Sequence, residues 1–297
     1  MNLDLNEITF VIVSYKAEKV IYNCLDSLPK SSKKIIIENS YDKILKRELE
    51  LKYDNIEVLL NTNNGMGSSN NIGIKRANTN FVFILNPDVI FKENTIEKLI
   101  STIKDIKDFS IISPINSNKN LPNFKTKKKN FELDKKFIEV DEIDGFSMLI
   151  NKSKFDQEIY FDENFFLYLE NSDLCLRQIN KNEKIYIITN SEIEHIGSYS
   201  TKFDETVDKE MEYIRNWHWM WSKFYFNKKH FGYLTAYLKI LPNLVSAVFK
   251  YLFYLILFNS YKKKIYKMRF LGILNSIIGN KSYLRPKASA QEKISSY

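Results

Sequence analysis

The sequence is poor in residues that staple, break or swivel a chain. Its 297 residues include two cysteines, eight glycines, six prolines and three histidines. Cys24 and Cys175 lie far apart with no CxxC spacing, which excludes a disulfide framework or zinc knuckle and points to a reducing compartment. So little Gly and Pro excludes collagen-like and low-complexity chains. With 44% apolar and 27% charged residues, the composition is that of a globular protein able to bury a sizeable core. No basic stretch and apolar run open the chain, since Met1 to Leu5 leads directly into a strand pattern, so no secretion signal is expected. Internal repeats are absent.

The charge is unevenly placed. Residues 202–297 hold 17 Lys and Arg against 6 Asp and Glu, leaving 27 against 30 in residues 1–201, so the tail is +11 and the rest is −3. A localised basic excess implies an anionic surface as partner, either nucleic acid or membrane. In the same region, Leu244–Phe258 is almost wholly apolar and is followed by Lys262-Lys263-Lys264, Lys267 and Arg269. At fifteen residues it falls short of the roughly 20 that span a bilayer. An interfacial helix on an anionic leaflet, a core helix with a solvated basic end, and a true span all fit the pattern, and the first is favoured. The positive charge follows an apolar helix and does not track a groove with interleaved stacking residues, so no nucleic acid is expected.

Before residue 205 the pattern alternates. Thr9–Ser14, Lys33–Glu38, Ile56–Leu60 and Asn80–Leu85 read as strands, separated by helical spacing at Val20–Leu28 and about Ser69–Ala77. Such alternation predicts a mostly parallel sheet covered by helices on both faces. A helix over Thr95–Ile106, a short strand at Ile111–Ser113, and a polar, basic loop from Asn116 to Lys136 that includes Lys127-Lys128-Lys129 follow. Regular structure resumes at Ile143–Ile150, with a helix near Ser172–Asn180 and a strand at Lys184–Ile188.

Four constellations carry chemistry. Asn86-Pro87-Asp88 places a carboxylate at the mouth of a parallel strand, where open α/β sheets bind ligands and where Mg2+ or Mn2+ could be held with phosphate oxygens, although a plain turn has the same form. Asn63 to Gly73 sets glycines before a helix, as phosphate-binding turns do. It follows the third strand and has Asn70 where a dinucleotide fingerprint needs Gly, which argues against a dehydrogenase. Asp162, Glu163, Glu170 and Asp173 crowd twelve residues rich in aromatics, where desolvation can make a carboxylate a general base. Asp173 and Arg177 have the spacing of a structural ion pair. His195, after the last strand, reads as a structural residue or a metal ligand.

Taken in order, Val13-Ser14-Tyr15, Asn64 to Gly73, Leu85-Asn86-Pro87-Asp88, Asp144-Gly145 with Met148-Leu149-Ile150, Phe161-Asp162-Glu163, Glu170-x-x-Asp173-Leu174 and His195 with Gly197 resemble the bacterial family 2 glycosyltransferases of the GT-A fold, in particular their rhamnosyltransferase-like branch. The resemblance covers about residues 8 to 230. It implies an α/β GT-A catalytic domain over residues 1–205, with a mixed, mostly parallel sheet, and a basic, aromatic-rich, membrane-leaning helical extension over 206–297. Ser14, Tyr15 and Glu38 would line the nucleoside pocket, while Asn64, Asn71 and Asn86 would face the diphosphate-sugar, with Gly65 and Gly73 permitting its approach. Asp88 would hold Mg2+ or Mn2+ with His195 as a further ligand, and Asp144 and Gly145 would lie on the sugar or acceptor side.

The family commonly has Asp where Glu38 stands, and Asp as catalytic base where Asn171 stands. An amide cannot take a proton, so Glu170 becomes the expected base, and a non-catalytic sugar-nucleotide-binding protein is the alternative. The implied reaction is inverting sugar transfer from a dTDP- or UDP-linked donor to a saccharide acceptor, lipid-linked, in bacterial surface polysaccharide or O-antigen assembly on the inner face of the plasma membrane. A Gln-x-x-Arg-Trp motif is absent, which points away from processive synthesis. A nucleotidyltransferase would carry glycine at the first strand end, and Ser14-Tyr15-Lys16-Ala17 has none.

Overall fold

The computed structural model describes residues 3–127, 135–156, 159–197 and 205–286, with side chains from residue 208 in the last stretch. Lys128, Lys129 and Ser198, and the stretch leading to the expected boundary at residue 205, lie outside the described residues. The chain divides into two compact units, Met1–Asp162 with Glu170–Thr201, and Glu163–Leu169 with Lys202–Tyr297.

In the first unit, β1 (Ile8–Ser14), β2 (Lys33–Glu38), β3 (Ile56–Leu60) and β4 (Phe81–Leu85) form a parallel block ordered β3-β2-β1-β4. Helices α1 (Ile21–Ser27), α2 (Lys43–Lys52) and α3 (Met66–Arg76) connect them. Next come β5 (Val89–Phe91), α4 (Thr95–Ile103), β6 (Ile111–Asn116), β7 (Phe124–Lys125), β8 (Phe137–Glu139), β9 (Glu142–Ile143), β10 (Ser147–Asn151), α5 (Glu170–Asn180) and β11 (Ile185–His195). Strand β10 runs antiparallel between β4 and β6, β11 lies parallel to β6, and β5 and β8 pair antiparallel with β11, completing nine strands.

Register decides where function can sit. Ser14 pairs with Glu38, Ile12 with Leu85, Ser147 with Leu85, and His195 with Val89. The C-terminal ends of β1, β2, β4 and β11 therefore open on the same edge as the N-terminal end of β10. The sheet is filled from both faces with a period of two: Phe10, Ile12, Phe83 and Leu85 enter one core cluster, and Val11, Val13, Val82 and Ile84 the other. Phe10, Phe83 and Phe91 pack ring against ring at centroid distances of 5.3–6.0 Å.

Several elements differ from the sequence expectation. Helix α4 stops at Ile103, and the expected loop from 116 to 136 contains β7, which pairs with β9. Strand β11 runs on to His195, because a register shift between Ile188 and Glu192 carries it past the polar run that interrupts its apolar pattern. Helix α3 begins at Met66, launched from Gly65 with φ of 109°. At Gly73 a Cβ would come within 2.2 Å of Val11 Cγ1, so its bare backbone lets α3 close on β1.

The second unit contains α6 (Glu205–Phe231), α7 (Tyr233–Ile256) and α8 (Ser260–Ile277), which pack around Met220, Phe224, Ala236, Ile240 and Ile273. Gly232 with φ of 82° separates α6 from α7, and the Asn259 side chain caps α8 by accepting from the Lys262 N–H. Gly272 lies so close to α6 that a Cβ would fall 2.2 Å from the Trp217 carbonyl. His218 is buried between the Ser282 hydroxyl and the Leu284 carbonyl, and burial pulls it down to about 4, so it is neutral at ordinary pH. Helix α7 is longer than the apolar run suggested, at 24 residues, which by length and composition suffices to cross a membrane, and only 11% of its most apolar stretch is buried.

Candidate active site

At the open edge, β1 and β2 end in two buried polar side chains. Glu38 accepts from the Ser40 N–H at 2.6 Å through Oε1, while Oε2 and the neighbouring Ser14 Oγ are buried without a well-formed hydrogen bond. Burial pushes the Glu38 carboxyl up, opposed by the Ser14 and Ser40 groups beside it. Buried polar atoms left open in this way need a partner, and a nucleoside hydroxyl or base N–H would supply one. Tyr15 follows directly, with the Lys16 amine 5.9 Å from its ring.

Helix α3 connects this end of the site to the other. The Ser69 hydroxyl and the Asn61 amide both donate to Asn39 Oδ1, at 3.0 and 2.8 Å. Two positions earlier on the same turn, Gly67 faces α5, with Glu170 Cβ 3.6 Å from where its own Cβ would be. Asn64 is exposed at the entry to the turn. Asn71 is turned inward: its amide donates to the Phe161 carbonyl and accepts from the Phe161 N–H, each at 2.9 Å. These two bonds tie α3 to the segment before the acidic cluster and direct the Asn71 amide at the chain rather than at open solvent. Sequence reading missed Asn39, whose signal was a polar run at the end of a buried strand.

Asp88 follows β4 in the turn Asn86-Pro87-Asp88, fixed by bonds from the Asn86 N–H to the Phe146 carbonyl and from the Ile196 N–H to the Asp88 carbonyl. Its carboxylate is buried, and Oδ1 lies 3.4 Å from His195 Nε2. The His195 ring stacks on Phe146 with centroids 4.0 Å apart and planes 17° apart, an orienting contact that the sequence did not reveal. One hard carboxylate and one imidazole fit a divalent cation that takes its remaining ligands from donor phosphates and water. Among the described residues no group of three or more His, Cys, Asp and Glu side chains stands ready to hold a metal alone. Asp144 is half-buried nearby, raised by burial, with Lys125 and His195 opposing the shift.

Of the four clustered carboxylates, Glu170 and Asp173 are buried. Asp173 pairs with Arg177, whose Nε donates at 2.9 Å, as the spacing suggested. Glu170 opens α5 with 8% exposure, its Oε2 has no hydrogen-bond partner, and burial pushes it up to about 7, against the lowering effect of its own backbone N–H. Such a carboxyl can exchange a proton near neutral pH. The adjacent Asn171 donates from Nδ2 to the Ile143 carbonyl at 2.9 Å, and a Cβ on Gly145 would sit 3.2 Å from its own Cβ. Contacts thus run from Gly67 through Glu170 and Asn171 to Gly145, and from Phe146 through His195 to Asp88.

Comparison with known proteins bears on the family and the fold. Residues 9–173 match the family model described as Glycosyl transferase family 2. The chain is 28% identical over 206 residues to the low-salt glycan biosynthesis hexosyltransferase Agl10 of Haloferax volcanii, a stretch covering 61% of this chain but only 64% of that protein. It is 25% identical over 198 residues to the rhamnosyltransferase WbbL of Escherichia coli K12, covering 56% and 75%. Among solved structures, the mannosyltransferase PcManGT from Pyrobaculum calidifontis, in complex with GDP-Man and Mn2+, aligns with a TM-score of 0.53 at 10% identity over 91% of this chain and 87% of that one. The fold is GT-A-like, a mostly parallel sheet flanked by helices and followed by a helical part.

Proposed function

The chain belongs to glycosyl transferase family 2, and from that premise we propose that it is an inverting, non-processive hexosyltransferase in which Glu170 is the catalytic base. The observation that carries this reading is the state of Glu170: buried, with one oxygen unpartnered, and held near neutrality. Its carboxylate takes the proton from an acceptor hydroxyl, whose oxygen attacks the anomeric carbon from the face opposite the diphosphate. Glu38 and Ser14 hold the nucleoside, and the α3 turn at Gly65 and Asn64 lies along the sugar-diphosphate. Gly145, close against Asn171, and Asp144 lie on the sugar or acceptor side. Asp88 and His195 would hold Mg2+ or Mn2+, which when bound supplies positive charge to the departing diphosphate.

The favoured donor is dTDP-rhamnose, in keeping with the name of the Escherichia coli relative, with a UDP-sugar second. The acceptor we favour is a lipid-linked saccharide in surface polysaccharide assembly. The exposed apolar face of α7 and the +11 tail support peripheral attachment to an anionic leaflet. Thermal shift against sugar nucleotides with Mn2+, followed by detection of released nucleoside diphosphate, tests the proposal. At about one hundred times its Kd a true donor adds about 2.7 kcal/mol of stability. The Asp88→Asn variant should lose the Mn2+-dependent part of that shift and keep the fold. A donor-induced shift in Asp88→Asn equal to that of the unaltered chain would remove Asp88 from the site.

A further inference from the structure

The second unit leaves its most apolar helix uncovered. Leu234, Leu238, Val245, Phe249, Leu252 and Ile256 on α7 are each at least half exposed. At the turn into α8, Leu257 and Phe258 are 56% and 92% exposed, directly ahead of Lys262-Lys263-Lys264. Between α7 and α8 lies a cleft of about 340 Å3, lined by Val248, Tyr251, Leu252, Phe270 and Leu271, with one cation, Lys267. Its volume falls near the lower end of small-molecule sites, which run from about 300 to 1,000 Å3. Its walls are almost wholly apolar, so an occupant must offer hydrocarbon to them and negative charge to Lys267.

The surroundings narrow the choice further. Tyr254 and Tyr266 stack with centroids 5.6 Å apart, with the Lys250 and Lys262 amines 5.2 Å from the Tyr266 and Tyr254 rings respectively, and Arg269 5.8 Å from Tyr266. Aromatic rings interleaved with cations beside an apolar helix form the belt that sits at the phosphate level of a leaflet. A second copy of the chain would carry the same positive charge to the same place and be repelled, whereas an anionic lipid would be attracted.

We propose that the α7–α8 cleft is a lipid-tail site, in which one acyl chain of an anionic bilayer phospholipid lies against Val248, Tyr251, Leu252, Phe270 and Leu271 while its phosphate meets Lys267. The proposal rests on the reading of this unit as membrane-facing and makes it more specific: attachment is anchored by a particular lipid as well as by general partition. It also distinguishes this cleft from the donor site, since no residue of the sugar-transfer machinery lines it.

The test uses the full chain with vesicles of phosphatidylcholine alone or mixed with phosphatidylglycerol, the latter including a phosphatidylglycerol with a photoreactive group on its tail. After irradiation, peptide mapping should place the tail on residues 248–252 and 267–271. Leu252→Trp fills the cleft from a half-exposed position and should reduce that labelling about tenfold with sedimentation on mixed vesicles largely kept. Lys267→Glu should weaken partition to the mixed vesicles about 25-fold, since losing a near-surface cation and adding an anion each change binding by a factor on the order of five, with no change on phosphatidylcholine alone. Labelling spread evenly along α7, or unaffected by Leu252→Trp while the vesicles still bind, overturns the cleft and leaves the membrane reading standing. Failure to sediment with any vesicle, or self-association that removes α7 from label, overturns the membrane reading itself.

Discussion

The two units break the usual rule of burial in opposite directions. In the α/β unit the departure is polar atoms inside: Ser14 Oγ, Glu38 Oε2 and Glu170 Oε2 are sealed from solvent without satisfying bonds. In the helical unit it is hydrocarbon outside, from Leu234 to Phe258. The first opposes the fold when nothing is bound, since an unpartnered buried group costs about 1–3 kcal/mol, while the second adds nothing to it, since exposed apolar surface stays hydrated. The contrast teaches that the two units depart from ordinary burial where the proposed function places their ligands. On the proposed reading, the open polar atoms of the α/β unit take hydrogen-bonding, charged groups, and the exposed face of the helical unit takes a hydrocarbon medium.

The largest effect follows from Glu170. Replacing it with Gln should lower turnover about 10²–10⁴-fold, the usual contribution of a positioned base. In the intact enzyme the rate should rise with pH and level off above about 7, because only the ionised carboxylate accepts a proton. Stability should run the other way. With its folded pKa above the ordinary 4.5, Glu170 weighs nothing against the fold below pH 4.5 and increasingly opposes it as pH rises to about 7. The full penalty is about 3 kcal/mol, from 1.36 kcal/mol per pH unit. Glu170→Gln should therefore melt higher than the unaltered chain at pH 8 and nearly with it at pH 4.5. A variant that keeps full turnover would dispose of Glu170 as the base; one that gains no stability at pH 8 would dispose of the burial argument.

The helical unit should respond in the opposite sense. Changing Phe249 and Phe253, 68% and 46% exposed, to Ser removes surface that packs against nothing in the unit's core. Thermal stability in solution should shift by no more than about 0.5 kcal/mol. Partition to anionic vesicles should fall about 10²–10⁴-fold, each of the two buried aromatics being worth about 1.5–3 kcal/mol. A large loss of solution stability with unchanged partition would show the face to be core after all.

How far the sequence revealed these features depends on the range of the interaction involved. Strands β1 to β4 were readable because continuous apolar runs are what a sheet covered on both faces requires, and Asp173 with Arg177 because i, i+4 spacing is local. The end of β11 was hidden, since its polar residues owe their strand conformation to pairing with β5 and β6. The motif order brought Asp88 and His195 into view as partners, but the ring of Phe146 that aims His195 belongs to a different strand end and has no periodic signal. Asn71 and Gly73 stand out in the sequence as members of a motif, while their contacts with Phe161 and Val11, which also hold α3 in place, have no local signal. The length of α7 was underestimated because Tyr233 to Asn243 mixes apolar with polar residues, whereas helix formation needs only continuity of backbone bonding.

The smallest effect decides the most about the base. Asn171 stands where the family commonly carries a carboxylate, and its Nδ2 donates to the Ile143 carbonyl while its Cβ closes against Gly145. An ionised Asp at this position would turn an acceptor toward an acceptor, losing the bond and adding repulsion, at a cost of about 1–3 kcal/mol. Asn171→Asp should therefore lower the melting temperature by several degrees, at roughly 2–4 °C per kcal/mol for a chain of this size, and should not raise turnover. The double variant Glu170→Gln with Asn171→Asp discriminates further. If it stays inactive, the amide at 171 is a strut between α5 and β9, and this chain has placed its base one residue earlier, in a setting dry enough to raise it. If it recovers turnover, the carboxylate site at 171 still has an open path to the acceptor, and the high pKa of Glu170 is a by-product of burial alone.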